Sequence, residues 1–286
     1  MKEQKFNTGS LQLNYVETAT DGIPLLLLHG GSSRWQTFSS VISDLEKYAH
    51  VYALDLRGHG QSDRGDDYKI QSYAEDVAAF IAKHIQKPTV VFGHSLGGMV
   101  GIMLAASHPS LVSGLIIGDS PFNSDVLKSG DNAYVKRWQE MIEQGMSAEE
   151  ITEELKNRKI YVPEKKQTIT AREFYGENDP YFASMGISLS QNDPVMLETV
   201  TNKVDESFAD YKIEVLFPKI QCPVLVLQGD PEHGGMIKDK DITKAETLLS
   251  NVKCYKCKNI GHGLYLEDKE QVVTQIISFL EEQKNQ

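Results

Sequence analysis

The residue best placed to do chemistry in this chain is a serine between two glycines. The pentapeptide Gly93-His94-Ser95-Leu96-Gly97 follows a β-branched and aromatic run, Thr89 to Phe92, and opens a small, apolar stretch from Leu96 to Ser107. The first run reads as a fully buried strand and the second as a helix packed closely on a sheet, so Ser95 falls at a strand-to-helix corner. Such a corner forces the serine into a strained backbone conformation and leaves no room for side chains two residues away, at Gly93 and Gly97. This is the G-x-S-x-G spacing that presents a nucleophilic hydroxyl, although the same residue types also build ordinary turns.

A serine hydroxyl is a poor nucleophile at neutral pH and needs a base within hydrogen-bond reach, itself oriented by a third group. Of the eight histidines, His262 stands between Gly261 and Gly263 in a short loop between the last strand and the last helix. There an imidazole has room to reach across the strand ends. His29 and His59 lie in glycine-rich loops, His94 adjoins the serine but turns elsewhere, and His50, His84 and His108 fall at element ends. The orienting acid should come from a loop between serine and base in the sequence. Asp119 and Asp230 both precede turns, where an aspartate commonly accepts backbone N–H groups. Glu232 has the longer reach and is the expected partner, with Asp230 and then Asp119 as alternatives. Acyl transfer also needs donors aimed at a developing oxyanion. The N–H of Leu96, at a helix start, is one; that of Gly31, in "HGG", is the second, because glycine allows close approach of backbone to substrate. Such chemistry requires no metal or cofactor.

The elements that must position these residues alternate. Leu11–Val16, Pro24–Leu28, His50–Leu54, Thr89–Phe92 and Leu111–Gly118 read as strands, with helical spacing over Trp35–Lys47 and Gln71–Ile85. Alternation returns with a strand in "CPVLVLQGD", a helix around Asp239–Ser250, a strand at Val252–Cys257 and a closing helix from Glu267. The expected class is α/β, a mostly parallel central sheet with helices on both faces, formed by residues 1–120 and 219–286. Residues 121–218 carry amphipathic helical segments without a strong strand and read as a helical cap inserted over the strand ends, where ligands bind in such sheets. Trp35 and Phe122 follow loops on that side and are the candidate substrate contacts. Trp138, Met141, Phe182 and Met196 in the cap fall at helical spacing, which reads as packing more often than as ligand contact.

Composition bounds the partners. The chain has 286 residues, 40% of them hydrophobic, enough for one large core and a modest insertion. A formal charge of −11 and the absence of a basic stripe argue against nucleic acid and anionic membrane surfaces. The N-terminus lacks an apolar signal region, and no run is long enough to span a bilayer, which points to a cytoplasmic location. Three cysteines, Cys222, Cys254 and Cys257, cannot pair completely; the C-x-x-C at Cys254 lies in a strand-like segment and lacks further ligands, so it reads as structural. Nothing in the sequence sets the oligomeric state.

With these residues in place, the sequence resembles the α/β-hydrolase superfamily over nearly its whole length. The matching motifs are "PLLLLHGG", "VYALDLRGHGQSD", "VVFGHSLGG", "CPVLVLQGD" and "NIGHGLYLED…ISFL", in the family's order. The resemblance implies Ser95 as nucleophile, His262 as base, Gly31 and Leu96 as oxyanion donors and a helical cap. It makes Asp55, Arg57, His59 and Ser62 structural members of a turn, and His29 a hydrogen-bonding residue behind the oxyanion loop. Family members often carry Asp at the position of Glu232, and "GDPEHGG" departs from their usual acid loop. Ser95 sets the chain apart from the dehalogenase and epoxide hydrolase branches, whose nucleophile is aspartate. The expected reaction is hydrolysis of a small-molecule carboxylic ester or lactone. The alternatives are hydrolysis of a carbon–carbon or amide bond by the same residues, or a ligand sensor that signals through its cap.

Overall fold

The computed structural model describes residues 1–129, 133–162 and 166–284. Its strands are β1 (Gln4–Asn7), β2 (Gln12–Glu17), β3 (Ile23–Leu28), β4 (Ala49–Leu54), β5 (Thr89–His94), β6 (Val112–Gly118), β7 (Lys159–Val162), β8 (Gln167–Thr170), β9 (Val224–Gln228) and β10 (Val252–Lys256). Eight of them form one sheet in the order β1-β2-β4-β3-β5-β6-β9-β10, parallel from β4 to β10 and antiparallel only at β1 and β2.

The apolar runs are continuous because both faces of these strands are covered. Along β3, Leu26 and Leu28 pack with the helices Ile70–Phe80 and Leu96–Ser107, while Leu25 and Leu27 pack with Ser39–Leu45 and Lys269–Lys284. The same alternation splits Val91 from Phe92, Ile117 from Ile116 and Val226 from Leu227. The central strands β3, β5, β6 and β9 therefore belong to two cores at once, and their register is fixed from both sides. β1 has no counterpart in the sequence reading: it is short and polar, and it is held by Phe6 edge-on to Phe80 at 5.2 Å.

The segment expected to be a helical cap contains helices and also a two-stranded antiparallel hairpin, β7–β8, with Lys159 opposite Thr170. It also packs in two parts. Met141, Ile151, Leu155, Ala171, Phe182 and Leu189 form a small core of their own. Met196, Leu197, Phe208 and Phe217 instead join the main core beside the helix after Ser95. Among the described residues no helix is long and apolar enough to cross a membrane.

The loop after β4 is tied down by a buried polar network. Asp55 accepts the Trp35 N–H at 2.7 Å, the Gln61 N–H at 2.9 Å and the Asn14 amide at 2.9 Å, and Ser62 Oγ donates to the Asp55 carbonyl at 2.6 Å. Arg57 donates to both oxygens of Asp76, at 2.6 and 2.8 Å. His29 Nε2 accepts the Leu56 N–H at 3.0 Å, which leaves Nδ1–H to donate to the Gly30 carbonyl at 2.7 Å. His59 Nδ1–H donates to the Arg57 carbonyl at 2.8 Å. These side chains hold a turn together, in agreement with their structural reading.

Both imidazoles are completely buried, and that burial lowers their pKa, to about 4 for His29 and about 3 for His59, where the neighbouring His29 adds to the effect. The unfolded chain takes up these protons near pH 6.5 and the folded chain only far below it. The stability they contribute is thus complete above pH 6.5 and is lost as the pH falls toward 4 and 3. Burial raises the carboxyl pKa of Asp55 and Asp76, which act in the opposite sense, so the test is a difference. His59→Asn should flatten the decline in unfolding free energy between pH 6.5 and 4.5 by about 1.4 kcal/mol per pH unit, read by urea titration of both proteins across that range. Parallel declines would refute the assignment.

Candidate active site

Five loops that leave the carboxyl ends of β3, β5, β6, β9 and β10 meet at one edge of the sheet. Ser95, directly after β5, has φ 52° and ψ −115°, the strained corner expected of it. A Cβ on Gly93 would lie 2.2 Å from the Gly97 carbonyl oxygen, and one on Gly97 would lie 2.1 Å from the Leu28 carbonyl oxygen. Gly93 is thus required by the turn itself, and Gly97 by the neighbouring β3.

His262 lies beside this corner. His94 Nε2–H donates to the His262 carbonyl at 2.7 Å, and the two rings are 4.8 Å apart. Burial, with His262 next to it, lowers the His94 pKa to about 4, so His94 is a neutral donor at pH 7. On the far side, the Glu267 carboxylate accepts the N–H groups of Gly261 and Gly263, each at 2.8 Å. The residues on both sides of His262 are thereby fixed. Glu267, read from the sequence as the first residue of the closing helix, lies two residues before that helix starts at Lys269 and serves the histidine loop instead.

The carboxylate that meets His262 is Asp119, not Glu232. His262 Nδ1 lies 2.8 Å from Asp119 Oδ2. Asp119 follows β6, is fully buried, and also accepts the N–H groups of Gly229 at 3.0 Å, Met236 at 2.8 Å and Ile237 at 3.1 Å. Burial alone would raise its pKa, but the His262 imidazole and these backbone donors outweigh it and hold the carboxyl below its ordinary value. Glu232, the expected partner, is exposed on a short turn, Pro231–His233. Asp230 is engaged locally, accepting the Glu232 N–H at 3.0 Å and facing His233 Nδ1 at 3.2 Å. The acid loop after β9 therefore supplies backbone N–H groups, while the carboxylate comes from the adjacent strand.

Gly31, Ser95 and Leu96 line one cavity of about 80 Å³, walled by Met99, Met196 and Phe208. Among the described residues the Gly31 and Leu96 N–H groups have no hydrogen-bond acceptor, and a Cβ on Gly31 would meet nothing within 4 Å. Both residues therefore keep a free N–H at the cavity lining. Trp35 and Phe122, the candidate substrate contacts, do not line it. Trp35 packs on the opposite face of the sheet, with its indole N–H on Glu3 at 2.8 Å, and Phe122 is buried edge-on to Phe217 at 5.1 Å. Of the cap residues weighed as packing or contact, Met196 is in the lining, whereas Met141 and Phe182 are core. Cys254 lies in β10 and Cys257 just after it; both thiols are free, and burial raises them to about 11 and about 12.

Residues 23–269 match the family described as the alpha/beta hydrolase fold. The chain is 26% identical over 278 residues to a probable alcohol acetyltransferase of Cyberlindnera fabianii, covering 90% of this chain and 71% of that protein. It is also 26% identical over 266 residues to the monoacylglycerol lipase ABHD6 of Homo sapiens, covering 90% and 74%. The enol-lactonase of Burkholderia xenovorans LB400 superposes with a TM-score of 0.74 at 14% identity, covering 97% of this chain and 99% of that one. A match across most of the sequence, with the sheet order and elbow described above, makes this chain a member of the α/β-hydrolase fold family.

Proposed function

We propose that this protein hydrolyses carboxylic esters or lactones through an acyl-enzyme, with Ser95 as nucleophile, His262 as base and Asp119 as the orienting acid. The observation that carries this reading is the 2.8 Å contact between His262 Nδ1 and a buried Asp119 that is itself held by three backbone donors. An ionised Asp119 accepts Nδ1–H and leaves the Nε2 lone pair to take the Ser95 proton. Ser95 Oγ then adds to the carbonyl carbon. The oxyanion is received by the N–H groups of Leu96 and Gly31, each worth about 3 kcal/mol of transition-state stabilisation. Collapse breaks the bond to the leaving alkoxide, which takes its proton from His262. Water, deprotonated by His262, releases the acid and restores Ser95. The names of the relatives, among them a lipase and a lactonase, favour acyl chemistry, and the small apolar cavity favours an acyl group of a few carbons.

Steady-state hydrolysis of p-nitrophenyl acetate and butyrate tests the assignment. Ser95→Ala should lower kcat/KM by roughly 10⁴-fold or more and Asp119→Asn by about 10³–10⁴-fold. Glu232→Gln should change it less than about twofold, because surface groups outside the site contribute little. Glu267→Ala should cost about 10–10²-fold in kcat by loosening the histidine loop. Turnover unchanged in Ser95→Ala would overturn the hydrolase reading; losses at Glu232 with none at Asp119 would overturn the choice of acid.

A further inference from the structure

One wall of the cavity at Ser95 is formed by Met196, Leu197, Thr199 and Val200, whose segment packs on the main core through Met196 and Leu197 and is also tied to it by a buried polar side chain. Asp193 is buried, and its carboxylate accepts the Tyr68 O–H at 2.6 Å and the Val195 N–H at 3.0 Å. Its own N–H donates to the Gly58 carbonyl at 2.9 Å. Gly58 belongs to the loop after β4 that Asp55 and Arg57 hold rigid, so the anchor is fixed on the core side. Tyr68 also accepts the Gly65 N–H at 3.1 Å and contributes to the wall of the cavity, as do Met196, Leu197 and Val200 on the segment that Asp193 begins. A charge-assisted hydrogen bond in a buried setting is short and strong, and here it joins the two walls directly.

We propose that Asp193 is a latch that sets acyl-chain length: through Tyr68 and Gly58 it holds residues 194–200 down on Ser95 and restricts the site to short acyl groups. The inference rests on the serine hydrolase reading of the site and adds which chains it accepts. A cavity of about 80 Å³ is several-fold smaller than the roughly 300–1,000 Å³ of sites that enclose drug-sized ligands. A longer acyl chain therefore requires the segment to lift, and lifting it breaks the Asp193 contacts. The carboxylate acts through Tyr68 and the backbone, so Asp193 is a positioning residue.

The test compares kcat/KM for p-nitrophenyl acetate and p-nitrophenyl octanoate in wild type, Tyr68→Phe, Asp193→Ala and Asp193→Asn. Thermal melts identify which variants are folded. Wild type should prefer acetate by at least about tenfold. Tyr68→Phe and Asp193→Ala should each shrink that preference by about fivefold or more, whereas Asp193→Asn, whose single carbonyl oxygen can accept from Tyr68 or from Val195 but not from both, should shrink it less than Asp193→Ala does. A general loss of folding or activity would move both substrates together; a change in their ratio would not follow from it. Tyr68→Phe removes one O–H and keeps the ring, so it reports even where Asp193→Ala does not fold. The ratio of Ser95 phosphonylation rates by methyl and octyl fluorophosphonates, read by intact mass, should shift in the same way. Unchanged ratios in folded Tyr68→Phe and Asp193→Ala, with Ser95 reactive, would overturn the latch alone. A wild type with no turnover and no Ser95 labelling would overturn the hydrolase reading and the latch with it.

Discussion

A single buried carboxylate organises the edge of the sheet that carries Ser95 and His262. Asp119 collects four N–H donors: one from the imidazole of His262 and three from the backbone of Gly229, Met236 and Ile237. An ionised carboxylate without such partners would be expelled from the interior or neutralised. With them, the charge is retained and three chain segments, after β6, β9 and β10, are drawn to one point. The direction of its pKa shift records the balance, because burial is opposed and overcome by the donors.

The sheet makes that convergence possible. β5, β6, β9 and β10 are successive parallel neighbours, so their carboxyl ends lie side by side at interstrand spacing. Ser95 and Asp119 leave adjacent strands, and the loop holding His262 returns over both of them from the sheet edge. His94 and Glu267 then restrain the histidine loop through its own peptide groups. His94, neutral at pH 7 because burial lowers its pKa to about 4, holds the loop through one N–H without placing a charge 4.8 Å from the His262 ring.

Much of this was legible in the sequence, and the exceptions share a cause. Ser95 could be read because its corner dictates glycines at fixed offsets, and the strands because apolar runs covered on both faces have no helical counterpart of that length. Asp119 was ranked behind Glu232 and Asp230 because an aspartate before a turn has an adequate local explanation. Its four donors lie 110 to 143 residues away, beyond any pattern of neighbours. Glu232 looked favourable on reach alone, and reach does not reveal that its turn faces solvent. Trp35 follows the oxyanion loop in sequence, yet the chain there folds to the other side of the sheet, a choice that spacing does not encode. The β7–β8 hairpin consists of two four-residue strands, too short for alternation to declare itself among amphipathic helices.

The division of the inserted segment has an evolutionary and engineering corollary. Met196, Leu197, Phe208 and Phe217 are part of the principal core, but Ile151, Leu155, Phe182 and Leu189 of the outer portion form a separate cluster together with Met141. Trp138 and Ile142 touch both clusters and form the seam between them. A lobe with a core separate from the sheet's, joined to it at that seam, is open to exchange together with the helix that carries Met141. Exchange of the outer portion for another of similar footprint leaves the sheet and the elbow in place, so the inserted segment can be remodelled apart from the edge that carries Ser95, Asp119 and His262.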